Sequence, residues 1–344
     1  MSEKEAMLYR VLGETRVNCC LCSHRCDIAE AGRGLCGTRE NRNGKLYARS
    51  YGKVLAARAE PIERSRLYHV MPGTKSLSVS VAGEGSRLPC FGSPDEAVAT
   101  PGERDRNAPC RDLSPPDLIK TAREQGCESL AFTDSEPTLP FEHAFETARL
   151  GRNAHLLNVM FTRGYMTVEA VTAIAPYLDA FSVEVPSSRD AFYRDVLKGS
   201  LEPVFDCIRS MRDLGIWVEV STTVRTGLND SEEDLEGVAR FISRLDRNIP
   251  WHVARGYPDD RVPDARMTPL ETLWRAYSIG KKQRLRYIYI RNVLAEVGET
   301  LCPRCGRSVI FRRDFFVEKM NLAGSRCNEC GQEIAGIFDS RARR

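Results

Sequence analysis

The chain has 344 residues, 42% hydrophobic and 28% charged, with 50 basic against 47 acidic side chains and a net charge of +3. That usage is ordinary for a soluble globular protein and argues against a disordered chain, a collagen or a coiled coil; so small a net charge does not by itself argue for a nucleic-acid partner, which is held unlikely. No apolar run reaches the roughly 18 residues that span a bilayer, and no apolar stretch follows the charged start MSEKEAMLYR, so a cytoplasmic protein with no membrane partner is expected.

Residues 1–75 are rich in Gly, Arg and Cys and show little periodicity. They read as a loop-built, cysteine-rich module. From Ser76 onward, apolar β-type runs appear at 76–82, 128–133, 155–162, 179–185, 216–224, 250–255 and 286–290, with helical patterns between them. The clearest helix places Leu201, Val204, Phe205, Ile208 and Met211 on one face. Helix starts are predicted at Ser114-Pro115, at Ser231 with Asp234, and at Thr268-Pro269 with Glu271. Strands alternating with helices predict an α/β fold with a parallel sheet, as a full or partial (β/α) barrel over 76–298. The Gly-, Pro- and charge-rich stretch 83–113 reads as a long irregular loop after the first barrel strand.

Thirteen cysteines in a chain without an export signal point to metal rather than disulfides, because the cytosol keeps thiols reduced. Over 299–344, Cys302, Cys305, Cys327 and Cys330 form two CxxC pairs, each followed by Gly. This is the pattern of a zinc ribbon, a four-thiolate site with no open position for catalysis. Near the other end stand Cys19, Cys22, Cys26 and Cys36, with Cys20 as a spare. Four thiolates there can hold zinc or a [4Fe–4S] cluster, and spacing alone does not choose. His24, inside this array, is read as a surface residue. Cys127 and Cys207 are read as core thiols, while Cys90 and Cys110 flank the long loop.

The ordered run CxLCSHRC…GLCGTREN, Glu60-Pro61-Ile62-Glu63, Leu67-Tyr68-His69, a barrel, Pro250-Trp251-His252 and the terminal ribbon resembles the AmmeMemoRadiSam-system radical SAM enzymes, which are relatives of the pyruvate formate-lyase activating enzymes. The resemblance covers about residues 17 to 335. It implies a radical SAM-type (β/α) barrel whose first strand is followed by a CxxxCxxC loop. Those three thiolates would hold a [4Fe–4S] cluster with one open iron, which chelates S-adenosylmethionine (SAM) for cleavage to a deoxyadenosyl radical. It implies cofactor contacts at Thr133, Glu136, Thr162, Gly164, Tyr165 and Glu184, and partners resembling the Memo-like or AMMECR1-like proteins.

The sequence departs from that pattern where the cluster belongs. Aligned without gaps, Glu84, Leu88 and Phe91 replace the three cysteines, and a one-residue slide recovers only Cys90, beside Gly83 and Arg87. Asp134, Arg163, Pro186 and Arg291 replace other family residues. The expectation is a degenerate family member without the usual SAM-cleaving cluster, serving as a metal-bearing scaffold, regulator or repurposed ligand binder. The alternative is a working enzyme whose cluster is held by the N-terminal cysteines, which requires that module to reach the barrel mouth. Arg87, Arg163, Arg225, Arg255 and Arg291, near strand ends, raise an anionic small molecule as ligand. Pairing of these arginines with acidic neighbours is the plainer reading. His252 is read as a core residue, with acid–base work as the alternative. Glu136 and Glu184 are read as inherited polar contacts rather than an acid–base pair. Arg312, Arg313, Arg341, Arg343 and Arg344 are read as solvated charges.

Overall fold

All seven runs form strands in the computed structural model, which describes residues 4–81, 110–133, 135–257, 266–293 and 298–339. They are β1 (Lys75–Val81), β2 (Ser129–Phe132), β3 (Leu157–Thr162), β4 (Ala180–Glu184), β5 (Trp217–Val224), β6 (Trp251–Arg255) and β7 (Ile288–Arg291). Between them run the helices α1 (Pro115–Glu124), α2 (Phe141–Asn153), α3 (Val168–Ile174), α4 (Glu202–Asp213), α5 (Glu232–Leu245) and α6 (Leu270–Lys282). The strands β2, β4, β5 and β7 are buried at every residue. Parallel strands covered on both faces carry continuous apolar runs for this reason, rather than alternating ones.

The chain divides into two compact units. The first comprises Met1–Glu60, Lys75–Phe181 and Tyr193–Ile216. In it β2 pairs in parallel with both β1 and β3, and strand Lys53–Pro61 pairs antiparallel with Arg111–Asp112. The second unit comprises Pro61–Thr74, Ser182–Phe192 and Trp217–Arg344. In it β6 pairs in parallel with β5 and β7. The ribbon strands Thr300–Leu301, Ser308–Arg313 and Phe316–Met320 follow as an antiparallel sheet.

Helix starts follow local chemistry at two of the three predicted places. Ser114 caps α1 in a full capping box with Asp117, and Ser231 accepts from the Asp234 amide at the start of α5. Thr268 does not cap α6, which begins after Pro269 with no side-chain cap. The Thr268 hydroxyl instead donates to the Val224 carbonyl (2.7 Å), and its own carbonyl accepts from Arg255 Nε (2.7 Å). A buried tie to the strand ends outcompetes the cap. In α4, Val204, Cys207, Ile208 and Met211 are buried, whereas Phe205 is only half-buried. Cys207 and Cys127 are core thiols as expected.

The N-terminal residues are more regular than their sequence suggested. Tyr9–Leu12, Arg16–Cys19 and Asp27–Ile28 form one small antiparallel sheet, and Lys4–Glu5, Lys45–Ala48 and Arg39–Arg42 form another. None of these strands exceeds four residues, too short for a period-two pattern to declare itself. The last hairpin turns on Asn43-Gly44, both with positive φ (53° and 74°), the two-residue turn whose twist matches paired strands. Most of the stretch 83–113 lies outside the described residues, as do Glu84, Arg87, Leu88, Cys90, Phe91 and Asp134.

Candidate functional site

In the first unit, Cys19, Cys22, Cys26 and Cys36 line one pocket, with Arg39 and with Thr138 and Leu139 from the segment after β2. Cys19 ends strand Arg16–Cys19, and successive side chains on extended backbone point to opposite sides. Cys20 accordingly turns away, its Sγ 3.5 Å from Asn18 Oδ1, and it is absent from the pocket lining. Backbone hydrogen bonds fix this module to the segment after β3: the Ser23 amide donates to the Tyr165 carbonyl (3.0 Å) and the Thr167 amide to the Leu21 carbonyl (3.2 Å). The Thr167 hydroxyl donates to the Cys20 carbonyl (2.7 Å). The cysteine pocket therefore sits against the C-terminal ends of β2 and β3, the end at which barrels of this kind bind ligands. His24 is not the surface residue expected: it is half-buried, lines the pocket and packs against Tyr165 with ring centroids 4.9 Å apart.

Beneath the pocket lies a buried ion pair that gave no signal in the sequence. Arg39 Nη1 is 2.7 Å from Glu142 Oε2, and the two side chains are 2% and 1% exposed. Arg39 Nη2 also donates to the Leu139 carbonyl (3.2 Å), and Glu142 Oε1 accepts from the Met7 amide (2.8 Å). Of the positions assigned to cofactor contact by resemblance, Glu136, Thr162 and Gly164 bond to one another. Glu136 Oε1 accepts from the hydroxyls of Thr162 (2.8 Å) and Thr138, and Oε2 accepts from the Arg163 amide (2.9 Å). The Gly164 amide donates to Thr162 Oγ1 (3.1 Å), the Thr133 amide to the Val79 carbonyl (3.1 Å), and Tyr165 Oη lies 3.3 Å from Ser200 Oγ.

Glu184 belongs to the second unit. Its Oε2 accepts from Arg66 Nη1 (2.7 Å) and its Oε1 from the Thr223 amide (2.8 Å). Burial works to raise its pKa, but the Arg66 charge and these bonds outweigh burial and hold it below the usual carboxylate range. Each of Glu136 and Glu184 is thus engaged by its own neighbours.

The second unit also holds a buried network centred on Glu219 in β5. Its carboxylate accepts from the amides of Tyr68 (3.0 Å) and His69 (2.8 Å), from Trp217 Nε1 (3.1 Å) and from His252 Nε2 (2.7 Å). His69 spans from Tyr289 Oη to the Ala335 carbonyl, both at 2.6 Å. Both imidazoles are fully buried, and desolvation pushes each pKa down to about 4. His252 is therefore a neutral core donor. A histidine with pKa 6.5 unfolded and about 4 folded binds its proton more readily unfolded, so its stability contribution is complete above pH 6.5 and declines as pH falls toward 4. At about 1.4 kcal/mol per tenfold change in proton affinity, two such groups predict a loss of several kcal/mol. Urea midpoints should already fall between pH 6.5 and 5, above most carboxylate titrations; a flat profile there would contradict this.

The ribbon cysteines come together as their spacing predicts. The Sγ atoms of Cys302, Cys305, Cys327 and Cys330 all lie within 4.8 Å of one another, with Cys302–Cys330 at 3.6 Å and Cys305–Cys327 at 3.8 Å. Gly306 and Gly331 take positive φ (72° and 71°), and their amides close each turn onto the carbonyls of Cys302 and Cys327. Four thiolates at this spacing can hold a metal ion. The basic residues near the ribbon divide. Arg313 is exposed and pairs with Glu318 (3.1 Å). Arg312, expected as a solvated charge, is buried instead. It donates to Thr300 Oγ1 (2.9 Å), to the Gly298 carbonyl (3.1 Å) and to the Tyr68 carbonyl, and its charge faces Glu63 (3.5 Å). Alternation along strand Ser308–Arg313 puts it inside and Arg313 outside. Arg341, Arg343 and Arg344 lie outside the described residues.

Among the arginines near strand ends, Arg255 is held by the Thr268 carbonyl (2.7 Å) and Arg225 Nη1 by the Tyr257 carbonyl (3.0 Å). Arg291 lies over the rings of Tyr68 and Phe315, 5.4 and 5.5 Å from their centroids. Arg163 Nη1 stands 3.9 Å from Glu136 Oε2. Each has an internal partner. Among the described residues, no helix is long and apolar enough to cross a membrane.

Comparison with known proteins accords with this α/β architecture. The model of the radical SAM superfamily matches residues 98–242. A Methanocaldococcus jannaschii protein bearing the name Uncharacterized protein MJ0808 is 35% identical over 337 residues, which cover 96% of this chain and 98% of that protein. The chain thus carries a radical SAM superfamily domain and belongs to one family with that archaeal protein. Among solved structures, it is similar to a domain of pyruvate-formate lyase-activating enzyme from Bacteroides vulgatus, with TM-score 0.40 and 14% identity over 48% of this chain and 99% of that one. It is also similar to a radical SAM methyltransferase from Sphaerobacter thermophilus, with TM-score 0.48 and 16% identity over 64% of this chain and 67% of that one.

Proposed function

We propose that this protein is a radical SAM superfamily member that does not build the superfamily's SAM-cleaving cluster and acts as a metal-bearing scaffold or regulator. The superfamily implies SAM and a [4Fe–4S] cluster held by three thiolates after the first strand. The donor set does not fit that group. Between the end of β1 and the start of α1, the sequence offers two thiols, Cys90 and Cys110, separated by nineteen residues and not in CxxxCxxC spacing. Glu84, Leu88 and Phe91 stand at the cysteine positions of the gapless alignment, and leucine and phenylalanine have no iron ligand to give. This donor chemistry carries the reading. The self-satisfied Glu136 group supports it, since both carboxylate oxygens are already committed to internal donors.

The ribbon completes the picture as a structural site. Its four thiolates suit zinc, leave no open coordination position and bind the antiparallel strands on either side. Partners of the Memo-like or AMMECR1-like kinds belong to this reading through the family resemblance alone. Without an open iron to chelate its amino and carboxylate groups, SAM loses a large part of its hold. Titration of SAM into oxygen-free, metal-loaded protein is expected to give no saturable heat by calorimetry. Saturable binding with a micromolar Kd would contradict the proposal.

A further inference from the structure

We infer that Cys19, Cys22, Cys26 and Cys36 hold a fully ligated [4Fe–4S] cluster, one thiolate to each iron, at a site separate from the cluster loop of the superfamily and different in kind from the ribbon. This goes beyond the proposed function and does not depend on it.

Spacing is the discriminating observation. A single zinc ion about 2.3 Å from each of four thiolates brings the sulfurs to about 3.8 Å apart, which is what the ribbon shows at 3.6 and 3.8 Å. The N-terminal four are also mutually near: every pair among them interacts electrostatically, and all four line the same pocket. Yet among the described residues only the ribbon gathers three or more ligand atoms within 4.8 Å of one another. The N-terminal thiols are thus gathered less tightly than those of the ribbon. A cube of iron and sulfide places an iron between each thiolate and the centre, and so suits a wider set of thiolates.

The lining agrees with such a guest. Leu21, Ile28, Leu35 and Leu139 supply apolar walls, and backbone amides of Leu21, His24 and Leu35 hydrogen-bond to the sulfurs of Cys19, Cys22 and Cys26 respectively. Amide-to-sulfur bonds and burial are the levers by which proteins stabilise and tune such clusters. The buried Arg39 guanidinium interacts with Cys19 and Cys36, a positive charge placed to offset thiolate charge. Cys20, the fifth thiol, turns away, so the count of ligands is four. With every iron bound by a thiolate there is no open iron, and the cluster does not chelate SAM. Its position against Thr138 and Leu139 after β2 and Tyr165–Thr167 after β3 ties the N-terminal hairpins to those strand ends.

The test uses the full chain, purified and reconstituted without oxygen, then assayed for iron, acid-labile sulfide and zinc. About four irons and four sulfides per chain are expected, with about one zinc in the ribbon. The Cys19→Ser/Cys22→Ser double variant should lose at least nine-tenths of the iron and sulfide and keep its zinc. Cys20→Ser and Cys90→Ser should keep both metals. Two zincs with no iron after reconstitution would overturn the inference, as would iron retained in the double variant or lost in Cys90→Ser. If the double variant does not fold, the native counts and the Cys90→Ser variant decide.

Discussion

Glu219→Ala is expected to destabilise the protein by about 4 kcal/mol or more, a large share of the roughly 5–15 kcal/mol that holds a domain together. The carboxylate is fully buried in β5 and accepts from four donors, two of them the successive amides of Tyr68 and His69. Burial alone would raise its pKa. The hydrogen bonds from His252 and from the Tyr68 amide outweigh burial and hold the carboxyl below its usual range. Alanine removes every acceptor at once and leaves Trp217 Nε1, His252 Nε2 and both amides without their partner. Each buried donor left unmet costs about 1–3 kcal/mol. Glu219→Gln keeps one carbonyl oxygen and should fall between the two. Urea unfolding monitored by tryptophan fluorescence measures the effect, and a loss under about 1 kcal/mol would show that the network is not structural.

The second large effect is expected at Arg39. Arg39→Ala strands the Glu142 carboxylate in a buried site, and breaking a buried pair by removing one partner costs about 3–5 kcal/mol. Arg39→Lys should not restore stability. A lysine cannot serve Glu142 and the Leu139 carbonyl together through a planar fork. The double variant Arg39→Met/Glu142→Gln should be less damaging than Arg39→Ala alone, because it removes the charge problem as well as the bond. Denaturation midpoints of the three variants test this order. If Arg39→Ala is nearly neutral, the pair carries little of the first unit's stability.

Much of the fold could be read from local pattern. The seven sheet strands are apolar runs bounded by helical segments, and Ser114 and Ser231 announce their helices through chemistry spanning three residues. The ribbon was legible because CxxC-Gly is a complete geometric unit in itself. Contacts between distant residues left no such trace. Arg39 and Glu142 are far apart in sequence, and Arg39 sits in the polar stretch GTRENRNGK, where burial has no signature. Arg312 is indistinguishable from Arg313 until the strand register is known. Glu219 is the exception that sequence reasoning passed over: a carboxylate inside the run WVEVSTTV signals a buried charge that needs donors. The sequence singled out the N-terminal cysteines and the structure gathers Cys19, Cys22, Cys26 and Cys36 on one pocket, but spacing in the chain does not choose between zinc and iron–sulfur there, because that choice depends on the distances between sulfurs.

The most direct measurement of the central claim is product analysis of the oxygen-free, iron- and sulfide-reconstituted protein incubated with SAM and a strong reductant. With no thiolate triad after β1 to present an open iron to the sulfonium, 5′-deoxyadenosine should stay at the level of the protein-free control. Catalytic formation of 5′-deoxyadenosine that disappears in Cys90→Ser would contradict the account, because it would place a working cluster in the stretch of sequence that provides Glu84, Leu88 and Phe91.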